Sequence, residues 1–157
     1  MTLLLKRGLA AVALLSLCAC SNVVEVDSPD LNRTDRTSCD TLLEELPDEL
    51  DGLQRVDVTP DGAPALAWGD PAVVVTCGVA MPEDFYEMSP CEEINGVGWF
   101  VRPDEYADND SALDMTSIGF YPAVRLQVPP EHRPPAGFLV AVSDAIKASL
   151  ERTGDCV

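Results

Sequence analysis

Residues 72–79 read Ala-Val-Val-Val-Thr-Cys-Gly-Val (AVVVTCGV). The run is almost continuously apolar and β-branched, which suits a central strand covered on at least one face. Strand-like segments lie on both sides of it. Before it, Gln54–Val58 alternates in polarity and Ala65–Trp68 forms a short apolar segment. After it, Asn95-Gly96 is a tight-turn signal leading into Val97–Arg102. Leu113–Gly119 and Ala123–Val128 flank Phe120-Tyr121-Pro122 and read as an antiparallel pair.

Helical patterns bracket these strands. Thr37 followed by Asp40 resembles a capping-box start, and Leu42, Leu43, Leu46 and Leu50 follow at helical spacing. Pro47 shortens or bends that helix, and Asp51-Gly52 ends it. Near the C-terminus, Pro134-Pro135 opens a helix through Arg152, with Leu139, Val142, Ile146 and Leu150 on one face. Residues 138–142 (FLVAV) also fit a strand, with Ser143 then capping a shorter helix. The order predicts an α+β domain with a mainly antiparallel sheet, a short N-terminal helix and a longer C-terminal one.

The first twenty residues are MTLLLKRGLAAVALLSLCAC. Lys6 and Arg7 precede an apolar stretch, Gly8–Leu17, in the layout of a secretory signal. That stretch is well short of the ~20 apolar residues that span a bilayer. Leu17-Cys18-Ala19-Cys20 resembles the lipobox of bacterial lipoproteins. The resemblance implies cleavage before Cys20, palmitate-type acylation of its thiol, and loss of Cys18 with the leader. Two or more acyl chains anchor stably where one is marginal. The expected organisation is a signal peptide at 1–19, a lipidated tether at 20–37 and a single domain at 38–157. The expected location is the outer face of the cytoplasmic membrane. The rival reading is ordinary signal cleavage to a free secreted protein.

The chain carries 27 acids against 10 bases, a formal charge of −17. Removing residues 1–19 takes away Lys6 and Arg7 but no acid, leaving −19. Nucleic-acid binding needs a basic footprint and is not expected. Direct electrostatic attachment to anionic lipid is disfavoured on the same ground. The membrane is therefore expected as a partner only through Cys20, alongside an envelope protein or cell-wall component.

Cys39, Cys77, Cys91 and Cys156 remain beyond the anchor, and an even set in an exported domain reads as two disulfides with three possible connectivities. The favoured pairing is Cys77–Cys91 and Cys39–Cys156, a short loop and a tie between the chain ends. There is no Cys-x-x-Cys, so a zinc or thioredoxin-like site has little support, and no metal or cofactor is expected.

Several features occur in a fixed order: Cys39 with Leu46-Pro47, Trp68-Gly69-Asp70-Pro71, Val75-Thr76-Cys77-Gly78-Val79, and Cys91 before Asn95-Gly96-Val97-Gly98-Trp99. In that order they resemble an actinobacterial family of exported proteins catalogued as domain of unknown function 3515. The likeness runs from about Cys39 to the C-terminus. It implies an exported location and a single fold, and it brings no catalytic residues.

The remaining motifs are weak. Asp104, Glu105, Asp108, Asp110 and Asp114 crowd one loop, but Leu113 stands where a calcium loop begun at Asp108 needs glycine. Gly96-Val97-Gly98 lacks the third glycine and the helix of a dinucleotide site. His132 is the only histidine and sits among prolines, and Glu92-Glu93 is an ordinary exposed acid pair. Trp68 and Trp99, with Phe100, Tyr106 and Tyr121, form either part of a small core or an aromatic groove for a sugar or peptide. The expected function is a non-enzymatic envelope interaction module. The alternative is a ligand-binding lipoprotein using Trp68, Trp99 and Tyr121.

Overall fold

The computed structural model describes residues 22–86 and 88–156. The leader and Cys20, and with them the lipidation and cleavage expectations, lie outside those residues.

In chain order the elements are β1 (Val23–Glu25), α1 (Arg33–Glu45), β2 (Glu49–Leu50), β3 (Leu53–Thr59), β4 (Ala65–Trp68), β5 (Val73–Cys77), β6 (Glu92–Ile94), β7 (Val97–Val101), α2 (Pro103–Ala107), β8 (Leu113–Ile118), β9 (Phe120–Tyr121), β10 (Val124–Val128), α3 (Ala136–Ser149) and β11 (Glu151–Arg152). A nine-stranded sheet runs β1-β3-β4-β5-β10-β8-β7-β6, with β2 added to β3, while β9 and β11 form a separate ribbon. Every pairing is antiparallel except β1 with β3. The fold is α+β, as expected, and residues 72–79 supply a strand near its middle with all five residues of β5 buried.

Alternation along β5 turns Val73, Val75 and Cys77 to one face and Val74 and Thr76 to the other. The first face carries the helices. Cys39 of α1 is bonded to Cys77, and Trp99 of β7 donates its indole N–H to Ser143 of α3 at 3.1 Å. Leu42, Leu46 and Leu50 meet Phe138, Leu139, Val142 and Ile146 over Val75, Leu126 and Val128 in one core. Leu50 joins it from β2 rather than from the helix. Residues 138–142 are helical, which resolves the two readings of that segment.

Helix α1 begins before Thr37. Asn32 is its N-cap, its side-chain oxygen accepting from Thr34 N at 2.9 Å and Asp35 N at 3.0 Å. Thr37 lies inside the helix, with its hydroxyl donating back to Arg33 O at 3.0 Å. The helix stops at Glu45 because Leu46 precedes Pro47 and is held extended. Asp51 and Gly52, both at positive φ, make the β2–β3 turn instead of ending a helix.

The segment expected as a tether, 20–37, is largely folded from Val23 onward. Val23, Val24 and Glu25 pair in parallel with Asp57, Val58 and Thr59, and α1 occupies the stretch from Arg33. Three strand residues are too few to display a period, and their partner is distant in sequence.

The disulfides are Cys39–Cys77 and Cys91–Cys156, so the favoured pairing is wrong. Cys77 ends β5, whereas Cys91 leads into β6, four strand positions away in the sheet. At about 4.8 Å per strand that is roughly 19 Å, beyond the ~7 Å that a disulfide spans between Cα atoms. Cys156 instead reaches β7 on the helix-free face, where a Cβ at Gly98 would lie 2.8 Å from its own. Phe85 covers the same end of that face, packed edge-on against Phe100 with centroids 5.4 Å apart.

Candidate functional site

The β10 sequence Val-Arg-Leu-Gln-Val alternates apolar with polar residues, and the β8 sequence Leu-Asp-Met-Thr-Ser-Ile does so as far as Thr116. The apolar positions enter the core, so the polar ones stand together on the helix-free face. Register sets Thr116, Arg125 and Thr76 side by side across β8, β10 and β5, with Asp114 beside Gln127 in the next row. This polar stripe crosses three adjacent strands near the middle of the sheet.

Its members are held from several directions. Arg125 pairs through Nη2 with Asp27, in the connection between β1 and α1. Gln127 Nε2 donates to Asp114 at 3.5 Å. The Asp114 backbone N–H donates to Glu105 of α2 at 2.9 Å, and Glu105 also pairs with Arg102 at 3.2 Å. Arg102 reaches on to Asp84 at 2.9 Å. The Arg125 Nε and the Thr76 hydroxyl are buried without a hydrogen-bond partner among the described residues. Beside Arg125 lies a hollow of about 380 Å³, lined also by Asp27, Ser28, Pro29, Val79 and Ala80. Of the stripe it is Arg125 that lines this hollow, where its guanidinium stands beside the Asp27 carboxylate.

Burial is the largest influence on the Asp114 carboxyl and pushes its pKa up; Arg125 opposes the rise, Glu105 adds to it, and Arg102 and Gln127 oppose it. A carboxyl whose folded pKa exceeds its unfolded value opposes folding once ionised. That penalty is full above the folded pKa, fades as pH falls through it, and is gone below the ordinary value of about 3.9. Asp114→Asn keeps an oxygen for Gln127. It is therefore expected to be more favourable to stability at pH 7 than at pH 3, as read by urea unfolding at both. A variant that loses more stability at pH 7 than at pH 3 would show the carboxylate held as an anion by Arg125.

The residues singled out in the sequence lie elsewhere. Trp68 and Trp99 are 0% and 1% exposed, and their indole N–H groups donate inward, to Pro47 O at 3.0 Å and to Ser143. They are core residues and form no aromatic groove with Tyr121. An edge of Trp99 lines only a hollow of about 190 Å³ with Pro90, Glu92, Val101, Pro103 and Tyr106. Tyr121 is exposed and donates to Asp35 at 2.9 Å, a bond that raises its hydroxyl pKa. His132 contacts Pro71 O through Nε2 at 2.8 Å and faces the edge of Phe138.

The acidic loop is ordered by its own bonds. Asp108 accepts from the Ser111 hydroxyl at 2.5 Å and from Asp110 N at 3.0 Å, which together lower its pKa. Arg133 Nη1 donates to the carbonyls of Glu105, Asp108 and Ser111. Among the described residues no group of three or more His, Cys, Asp or Glu side chains is placed to hold a metal ion. None of their helices is long and apolar enough to cross a membrane. The stripe itself was missed because its signal, polar residues at every second position of β8 and β10, also describes an ordinary solvated strand face.

Two joints of the fold coincide with the sequence features that carried the resemblance. Asn95 and Gly96, at φ 52° and 80°, form the tight turn that delivers Trp99 to the core. Gly78 follows the bonded Cys77 at φ 80°, where a Cβ would meet Leu31 at 2.3 Å. A family model described as a protein of unknown function (DUF3515) matches residues 2–154. The chain belongs to that family. No curated protein and no solved structure matches it.

Proposed function

We propose that this DUF3515 member is an exported envelope lipoprotein, anchored through acylated Cys20 to the outer face of the cytoplasmic membrane. There it serves as a non-enzymatic interaction or scaffold module. The observation that carries the reading is the pair of intramolecular disulfides, Cys39–Cys77 and Cys91–Cys156, which together use every cysteine beyond the leader region. Such bonds persist in oxidising compartments and are rare in the cytosol. The leader and Leu17-Cys18-Ala19-Cys20 add the route and the anchor. Crosslinking in intact cells is expected to recover an envelope protein or cell-wall component. Recovery of none under several crosslinking chemistries would count against the scaffold role.

A second reading, a binder of a small sugar or peptide, rests on Arg125, whose side chain lines the hollow at Asp27 and whose Nε is unpartnered among the described residues. It predicts that Arg125→Ala abolishes ligand binding while the fold is retained.

A further inference from the structure

The position of β1 limits how far a lipidated Cys20 stands from the folded domain. Only Ser21 and Asn22 separate Cys20 from Val23, the first residue of β1. Those three Cα steps reach at most about 11 Å when fully extended. A flexible tether of roughly 18 residues, as residues 20–37 would provide if unfolded, has a root-mean-square reach of about 21–25 Å. A compact domain of this size has a radius of gyration of about 14 Å. The reach is thus shorter than the domain's own radius, and the domain is not free to turn every side toward the bilayer.

We propose that the β1 edge of the sheet is a membrane-facing surface, held against the lipid headgroups by this short connection. The inference rests on the lipoprotein reading above and deepens it. β1 is the terminal strand of the sheet, and β6 is the opposite terminus. Seven strand spacings separate them, roughly 34 Å at ~4.8 Å each. One edge therefore lies at the headgroup layer, while the other, carrying Glu92, Glu93 and the Asn95-Gly96 turn, stands away from it.

Charge does not lift the β1 edge off. Glu25, Asp27 and Asp57 are exposed there and are repelled by anionic lipid. The stand-off that repulsion can achieve is capped by the ~11 Å connection. That is close to the screening length of about 8 Å at physiological ionic strength, so little repulsion remains at full reach. The contact is imposed by the anchor rather than by attraction, which suits an acidic domain.

The test uses the full lipidated protein in phosphatidylcholine vesicles containing a headgroup spin-labelled lipid as a short-range quencher. A small fluorescent amino acid replaces Asp57, opposite Val23 at the β1 edge, or Glu93 at the β6 edge. Quenching at position 57 is expected to exceed that at 93 several-fold. Inserting a roughly 20-residue Gly/Ser segment between Asn22 and Val23 is expected to erase the difference, because such a segment reaches farther than the domain radius. Equal quenching at the two positions with the native spacing, or a difference untouched by the insertion, overturns the proposal. Mass measurement of the N-terminal peptide in the same samples separates the two readings. A lipidated Cys20 with equal quenching defeats only the orientation, and an unmodified Cys20 defeats the anchor and the orientation together.

Discussion

Replacing Cys39 and Cys77 together by alanine is expected to lower the melting temperature by about 15 °C. The bond closes a separation of 38 residues, worth about 4 kcal/mol in the chain-entropy account. Each kcal/mol shifts the midpoint of a domain this size by roughly 3–5 °C. Both sulfurs are fully buried in the core between α1 and β5, so their loss also leaves a void. Cys91–Cys156 spans 65 residues, and chain entropy alone would rank it slightly higher. A second effect decides the order. Cys156 sits in a short tail beyond β11, and once freed that tail regains backbone entropy in the folded state, at roughly 1–2 kcal/mol per released residue. The double replacement at Cys91 and Cys156 is accordingly expected to cost clearly less. Graded reduction with thiol alkylation should label the part-exposed Cys91 and Cys156 before Cys39 and Cys77. A larger melting shift from the Cys91–Cys156 pair, or the reverse order of labelling, would contradict the assignment of the core bond.

Trp68→Ala is expected to cost about 3–5 kcal/mol, the range for deleting a large aromatic from a packed interior. Trp68 is fully buried, and the Arg55 guanidinium lies over its ring at 5.7 Å. Arg55 in turn donates to Leu46 O at 2.7 Å and Pro47 O at 3.1 Å, so the two side chains fasten the end of α1 to β3 and β4. Trp68→Phe keeps most of the apolar volume but loses the bond to Pro47 O, for a cost nearer 1 kcal/mol beyond repacking. Trp99→Phe leaves the Ser143 hydroxyl, itself fully buried, without its donor, adding about 1–3 kcal/mol. Urea unfolding of the three variants reads these values. A loss below about 1 kcal/mol for Trp68→Ala would mean the indole lies outside the packed core.

What was legible in the sequence followed from local chemistry. The β-branched run at 72–79, the Asn95-Gly96 turn and the strand pair around Phe120-Tyr121-Pro122 each carry their signal within a few residues, and each lies where expected. The failures share another cause. Whether Cys77 meets Cys39 or Cys91 depends on strand order, because β10, β8 and β7 enter the sheet between β5 and β6 after both cysteines have been passed in the chain. β1 forms only because β3 offers an edge to it, so Val23–Glu25 shows nothing by itself. Asn32 was overlooked as a cap because the polar stretch around it read as tether. The tryptophans were open between core and groove, since composition does not say where an indole N–H finds its acceptor. The Arg125–Asp114 stripe needed the register of three strands before it existed as a cluster.

Anchoring of an exported domain through Cys20 is the proposal on which the functional reading rests. Metabolic labelling with palmitate, combined with membrane fractionation of wild type and Cys20→Ala, tests it. The wild type is expected to carry label and remain with membranes after a high-salt wash, while Cys20→Ala loses the label and leaves the membrane fraction. An unlabelled wild type, or a Cys20→Ala protein that stays on membranes through the wash, would contradict it.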